Sequence, residues 1–152
     1  MADIVQRIGI KAPPSKVYEA LATLDGLAGW WTQEVAGDSE PGGVIVFTFR
    51  TGEGELKGEM GMQVESLTPN TKVAWRCVEG PDDWLKTEIS FTLSEQDGQT
   101  IVLFAHRGWS ELSEHMAHCT MKWATFLLSL RELVETGTGK PAPRDVKVDN
   151  WY

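Results

Sequence analysis

Between Ser110 and Thr136 the apolar residues fall into step: Met116, Cys119, Trp123, Phe126, Leu127, Leu130, Leu133 and Val134 form one stripe. Spacings of three and four mark an amphipathic helix. His115, His118, Lys122, Thr125, Ser129 and Glu132 fall on its other side. Ser110 or Ser113 supplies an N-terminal cap, and Gly137 can take the left-handed conformation that ends a helix. At 1.5 Å per residue such a helix runs roughly 35–39 Å, enough to cross a whole sheet. Its stripe must be buried against an apolar surface of similar length.

The rest of the chain supplies that surface. Residues 4–10 read as a strand, and Ala12-Pro13-Pro14-Ser15 opens a helix in which Val17, Ala20, Leu21 and Leu24 share a face. Asp25 is placed to cap a second short helical piece, residues 25–31. Five extended segments follow, separated by turn chemistry at 41–43, 51–54, 68–70, 80–83 and 97–98. Strands joined by loops this short pair antiparallel. Alternation assigns one face to Ile45, Phe47, Phe49; Met60, Met62, Val64; Val73, Trp75, Cys77; Ile89, Phe91, Leu93; and Val102, Phe104, His106. The opposite face is more polar, except that Ile101, Leu103 and Ala105 fall on it. Either that last strand is covered on both sides or its parity is shifted by one. The architecture is α+β: a curved antiparallel sheet of six or seven strands around one long C-terminal helix, with two short helices after the first strand.

Composition excludes several classes. With 41% apolar and 24% charged residues, neither a disordered nor a fibrous chain fits. The length suits a single domain, residues 1–137, followed by a tail, 138–152, tipped by Trp151 and Tyr152. That tail either folds back or packs on a second subunit. A net charge of −8, with Arg7, Lys11, Lys16, Arg50 and Lys57 scattered singly, opposes nucleic-acid partners and anionic membrane surfaces. No secretory leader or apolar run of about 18 residues is visible, so a cytoplasmic protein without membrane insertion is expected. In that compartment Cys77 and Cys119 read as small buried hydrophobes.

The seven tryptophans stand beside two tyrosines and five phenylalanines. A long helix laid over a curved sheet can leave a ligand cavity. Phe47, Phe49, Met60, Met62, Trp75, Phe91, Phe104 and Trp123 would wall it, with His106 and Cys119 as sparse polar points and Trp31 and Trp109 at its mouth. The same side chains can instead fill the space as a core. His106 is either a ligand contact, an acid or base, or a histidine satisfied by backbone or an indole N–H. Trp30, Trp31, Trp84 and Trp109 fall at element ends and read as rim residues, the Trp30-Trp31 pair divided between interior and surface. Glu111, Glu114, His115, His118 and Cys119 hold i,i+4 pairs but not a complete ligand set, so no metal is expected. No Gly-x-Ser-x-Gly elbow, phosphate-cradling loop or His-Glu-x-x-His is present.

Two stretches carry a family resemblance: IGIKAPPSKVYEALATLDGLAGWW, residues 8–31, and HRGWSELSEHMAHCTMKWATFLLSLRELVETGTGKP, residues 106–141. Both resemble the START-like (SRPBCC) superfamily, in its heat-shock protein 90 ATPase activator-like branch. The resemblance implies the helix-grip fold of START and Bet v-like proteins. It also implies three kinds of activity: binding a small hydrophobic or aromatic molecule, assisting a chaperone, or cyclising a polyketide. The first is the leading expectation, a non-catalytic binding protein without a cofactor. The second would act through the surface on a protein partner or a second copy, although only one domain is present here. The third would use His106 with Arg50 or Arg107.

Overall fold

A computed structural model describes all residues, 1–152. The order is β1 (Ala2–Ile10), α1 (Pro14–Ala22), α2 (Leu24–Trp30), β2 (Glu34–Gly37), β3 (Val44–Arg50), β4 (Leu56–Thr68), β5 (Lys72–Glu79), β6 (Glu88–Gln96), β7 (Gln99–Trp109) and α3 (Glu114–Thr136). One antiparallel seven-stranded sheet results, in the order β1-β7-β6-β5-β4-β3-β2. It is a meander whose first strand returns to pair with its last. The β4–β5 register shifts twice, passing over Val78 of β5 and Glu65 of β4; such bulges bend a strand and add curvature. The curved sheet grips α3.

Cross-strand register confirms the expected inner face. Phe47 lies opposite Met60, Val64 opposite Trp75, Val73 opposite Phe91, and Ile89 opposite His106. The parity of β7 is not shifted: Val102, Phe104 and His106 point inward and are fully buried. On the outer face Leu103 is half exposed, while Ile101 and Ala105 are covered. The missing side chain of Gly9 gives Gln99 and Ile101 their space, since a Cβ there would lie 2.1 Å from the Gln99 side-chain oxygen. Strand β2 has no counterpart among the expected segments. Only Val35 of its four residues is even half-buried, so there is no alternation to detect.

Helix starts follow their caps. Pro13 and Pro14 open α1. Thr23, not Asp25, caps α2: its Oγ1 accepts from Gly26 N–H at 3.0 Å, leaving Asp25 in the first turn. Ser113 Oγ accepts from Met116 N–H at 3.0 Å to start α3, and Gly137, at φ 93°, ends it. The buried side of α3 is wider than its apolar stripe. His118, Lys122 and Ser129 are buried as well, because residues 138–152 fold back over that flank. Ala142 bridges Thr32 in parallel, Ser129 Oγ accepts from Lys140 N–H at 2.7 Å, and Lys122 pairs with Asp145.

The tryptophans are not a rim. Trp30, Trp31, Trp84 and Trp109 are buried with Trp75 and Trp123, and only Trp151 is substantially exposed. Trp30 and Trp31 both face inward: they stack at 6.1 Å, Trp31 stacks on Trp75 at 6.0 Å, and Trp84 stacks on Trp123 at 6.0 Å. Each ring has too much apolar area to leave in water once helices and sheet close over it.

Candidate functional site

A cavity of about 490 Å³ lies at one end of the grip, between β3, β4, the β5–β6 connection, α3 and the returning tail. Its apolar wall comes from Trp31, Phe49, Met60, Pro81, Trp84, Trp123 and Phe126. Lys57, Glu59, Glu79, Cys119, Lys122, Asp145 and Tyr152 add polar groups. Gly58 helps to keep it open. Gly58 pairs opposite Phe49 and shares the inward parity of Met60, yet a Cβ built there meets no atom within 4 Å.

Of the residues expected to contact a ligand, the structure brings Trp31, Phe49, Met60, Cys119 and Trp123 to this cavity. Phe47, Met62, Trp75, Phe91, Phe104, His106 and Trp109 lie elsewhere, sealed in the core. Their rings fill the middle of the grip, with centroids 4.3 Å apart for Trp31–Phe47, 5.3 Å for Trp75–Phe91 and 4.5 Å for Phe104–Trp123. Such contacts leave no room for a guest there.

His106 is satisfied internally. Trp123 Nε1–H donates to its Nδ1 at 3.2 Å, which makes Nε2 the protonated nitrogen, donating to Thr87 Oγ1 at 2.8 Å. Thr87 donates in turn to the Trp84 carbonyl at 2.6 Å. Burial, reinforced by nearby His115, lowers the His106 pKa from 6.5 to about 3, so the ring is neutral at physiological pH. The arginines considered beside it are remote: Arg50 pairs with Glu34, and Arg107 donates to Ser90 across the outer sheet face. This acid–base set is not assembled.

The histidines of α3 are similarly divided. His115 Nδ1 is 2.6 Å from Asp83, and His118 Nδ1 is 2.6 Å from Asp149. Cys119 Sγ lies 3.6 Å from His115 Nε2, while Glu111 and Glu114 stay exposed. No three of these groups converge as a metal site.

The cavity's polar character comes mainly from residues outside the expected set. Lys122 is buried, paired with Asp145 and donating to the Val146 carbonyl at 2.8 Å. Lys57 Nζ sits 3.7 Å above the Tyr152 ring, a cation–π contact. Partial desolvation lowers the Lys57 pKa, with Asp145 opposing and Lys122 and Lys147 adding to the effect. Burial raises both the Cys119 thiol and the Tyr152 phenol to about 12. Both are neutral at pH 7, so Cys119 offers no thiolate nucleophile. Trp84 Nε1–H is buried and directed at the Cys119 sulfur, a weak acceptor. Lys122 was the readable signal, a long cation bracketed by Cys119, Trp123 and Phe126.

Residues 11–135 match the family described as activator of Hsp90 ATPase homolog 1-like protein. The Aha1 dimer from Colwellia psychrerythraea is similar in structure, with 43% identity and a TM-score of 0.79 over 91% of this chain and 100% of that one. A protein from Staphylococcus saprophyticus aligns at 20% identity and TM-score 0.71 over 91% and 95% of the two chains. CalU16 from Micromonospora echinospora aligns at 22% and 0.66 over 89% and 77%. These last two share the fold. No curated protein matches the chain. No helix is long and apolar enough to cross a membrane.

Proposed function

The chain belongs to the activator of Hsp90 ATPase homolog 1-like family, and from that premise we propose that it is a binding protein for a small hydrophobic or aromatic molecule. The observation that carries this reading is the cavity of about 490 Å³, within the range of roughly 300–1,000 Å³ typical of small-molecule sites. Its walls suit an aromatic body, while Lys57 and Lys122 favour a guest with a carbonyl, phenol or similar acceptor. The sequestration of His106 supports binding rather than catalysis. Native mass spectrometry of protein taken directly from its host tests the reading. A co-purified small molecule, absent from Gly58→Phe, supports it; a wild-type protein that is empty and takes up no member of an aromatic acceptor library contradicts it. Gly58→Phe fills the cavity where an added side chain meets open space.

The Colwellia relative favours a second reading, in which the protein acts through its surface as a self-associating chaperone accessory. Adding the chain to an Hsp90 ATPase assay should then raise the rate. An unchanged rate at saturating chain opposes that role.

A further inference from the structure

Helix α3 carries a second stripe on the side away from its core. Glu114, Ala117, Met121, Ala124, Leu128 and Arg131 follow one another at spacings of three and four, the seven-residue repeat that turns one helical face toward another helix. Met121 is 56% exposed and Leu128 48% exposed. They are large apolar side chains facing solvent on a helix whose other side is already satisfied by the sheet. Glu114 and Arg131, at the two ends of the stripe, are exposed and enter no ion pair within the chain.

We infer that this stripe is the contact through which two copies of the chain associate, antiparallel about a two-fold axis. The inference rests on the self-association reading above and assigns it a surface. In a two-fold contact the same patch must complement itself. Antiparallel pairing centred between Lys122 and Trp123 meets that demand at every position. Met121 packs over Ala124 of the partner subunit, and Leu128 over the partner's Ala117. Glu114 lies beside the partner's Arg131. Each large side chain enters the gap left by a small one, as knobs enter holes. The two otherwise unpartnered charges close the ends of the apolar seam, a polar rim around an apolar centre. A parallel pairing in register would instead set Met121 against Met121 and Glu114 against Glu114. The cavity lies on the opposite side of α3, so association leaves it open.

Sedimentation velocity over a dilution series, with circular dichroism as the folding control, tests the assignment. Wild type should dimerise, and Met121→Glu should weaken the dimer about tenfold or more, as loss of a central apolar contact does. Glu114→Arg and Arg131→Glu should each weaken it, and the double variant should recover. Leu103→Lys, on the outer sheet face, should change nothing. A wild-type dimer unaffected by Met121→Glu and the single charge reversals overturns the surface while leaving self-association standing. A double variant that fails to recover overturns the antiparallel pairing. A wild type monomeric at every concentration overturns self-association itself.

Discussion

The middle of the grip and its open end are built from the same kinds of side chain and have opposite properties. In the middle, Phe47, Trp75, Phe91, Phe104 and Trp123 interlock, and the titratable His106 is held by an indole, a threonine and burial. At the open end, Trp31, Phe49, Met60, Trp84 and Phe126 stand around empty space, with Lys57 and Lys122 among them. The difference lies less in the aromatic content than in what surrounds it. Gly58, opposite Phe49, withholds a side chain where an added Cβ would stand in open space. The far wall is a tail held by specific pairs rather than a strand held by a ladder. Aromatic richness alone therefore does not mark a binding site; an aromatic wall beside a missing side chain and polar groups does.

Substitutions can separate the two regions. Phe104→Ala, in the filled middle, should cost about 3–5 kcal/mol in chemical denaturation. A loss below about 1 kcal/mol would mean that the middle is loosely packed after all. Asp145→Asn should cost about 3 kcal/mol, because it leaves the buried Lys122 ammonium without its carboxylate. The same measurement checks this value, and a negligible loss would mean that the tail does not seal that flank.

The middle should also respond to acid. The folded-state pKa of His106 is lowered to about 3 from 6.5, so as pH falls the unfolded chain takes up this proton first. The stabilising contribution is complete above about pH 6.5 and is lost progressively toward pH 3, by up to about 1.4 kcal/mol per pH unit. His106→Gln removes that slope. The stability of wild type minus that of the variant should fall between pH 7 and pH 4, and a constant difference would show that the imidazole is not sequestered. Smallest in stability is Gly58→Phe, expected within about 1 kcal/mol of wild type by thermal unfolding. A large destabilisation would indicate that the open end has no space to fill.

The sequence discloses these regions unevenly. The α3 stripe and the facing strands are readable because burial on one side of a helix or sheet leaves a period in the chain. Ile89, Phe91 and Leu93 on β6 and Val102, Phe104 and His106 on β7 lie where alternation puts them. The burial of Trp30, Trp84 and Trp109 has no such period, since it arises when loops and helix ends close over the grip. The tail is harder still. Its position depends on single pairings, Lys122 with Asp145 and His118 with Asp149, across more than twenty residues of chain. The cavity inherits that difficulty: Trp31, Phe49, Met60, Cys119 and Trp123 follow from face assignment, whereas Lys57, Gly58, Asp145 and Tyr152 require the tail and the β3–β4 hairpin in place.

The most direct test of the hollow end is titration with 1-anilinonaphthalene-8-sulfonate, an aromatic body carrying an acceptor anion, followed by two-dimensional amide NMR. Saturable one-to-one binding is predicted, with the largest shifts at Lys57, Gly58, Trp84, Cys119 and Phe126, and no binding to Gly58→Phe. Shifts confined to the exposed stripe of α3 or the outer sheet face, or equal binding by Gly58→Phe, would contradict the assignment of the cavity as the binding site.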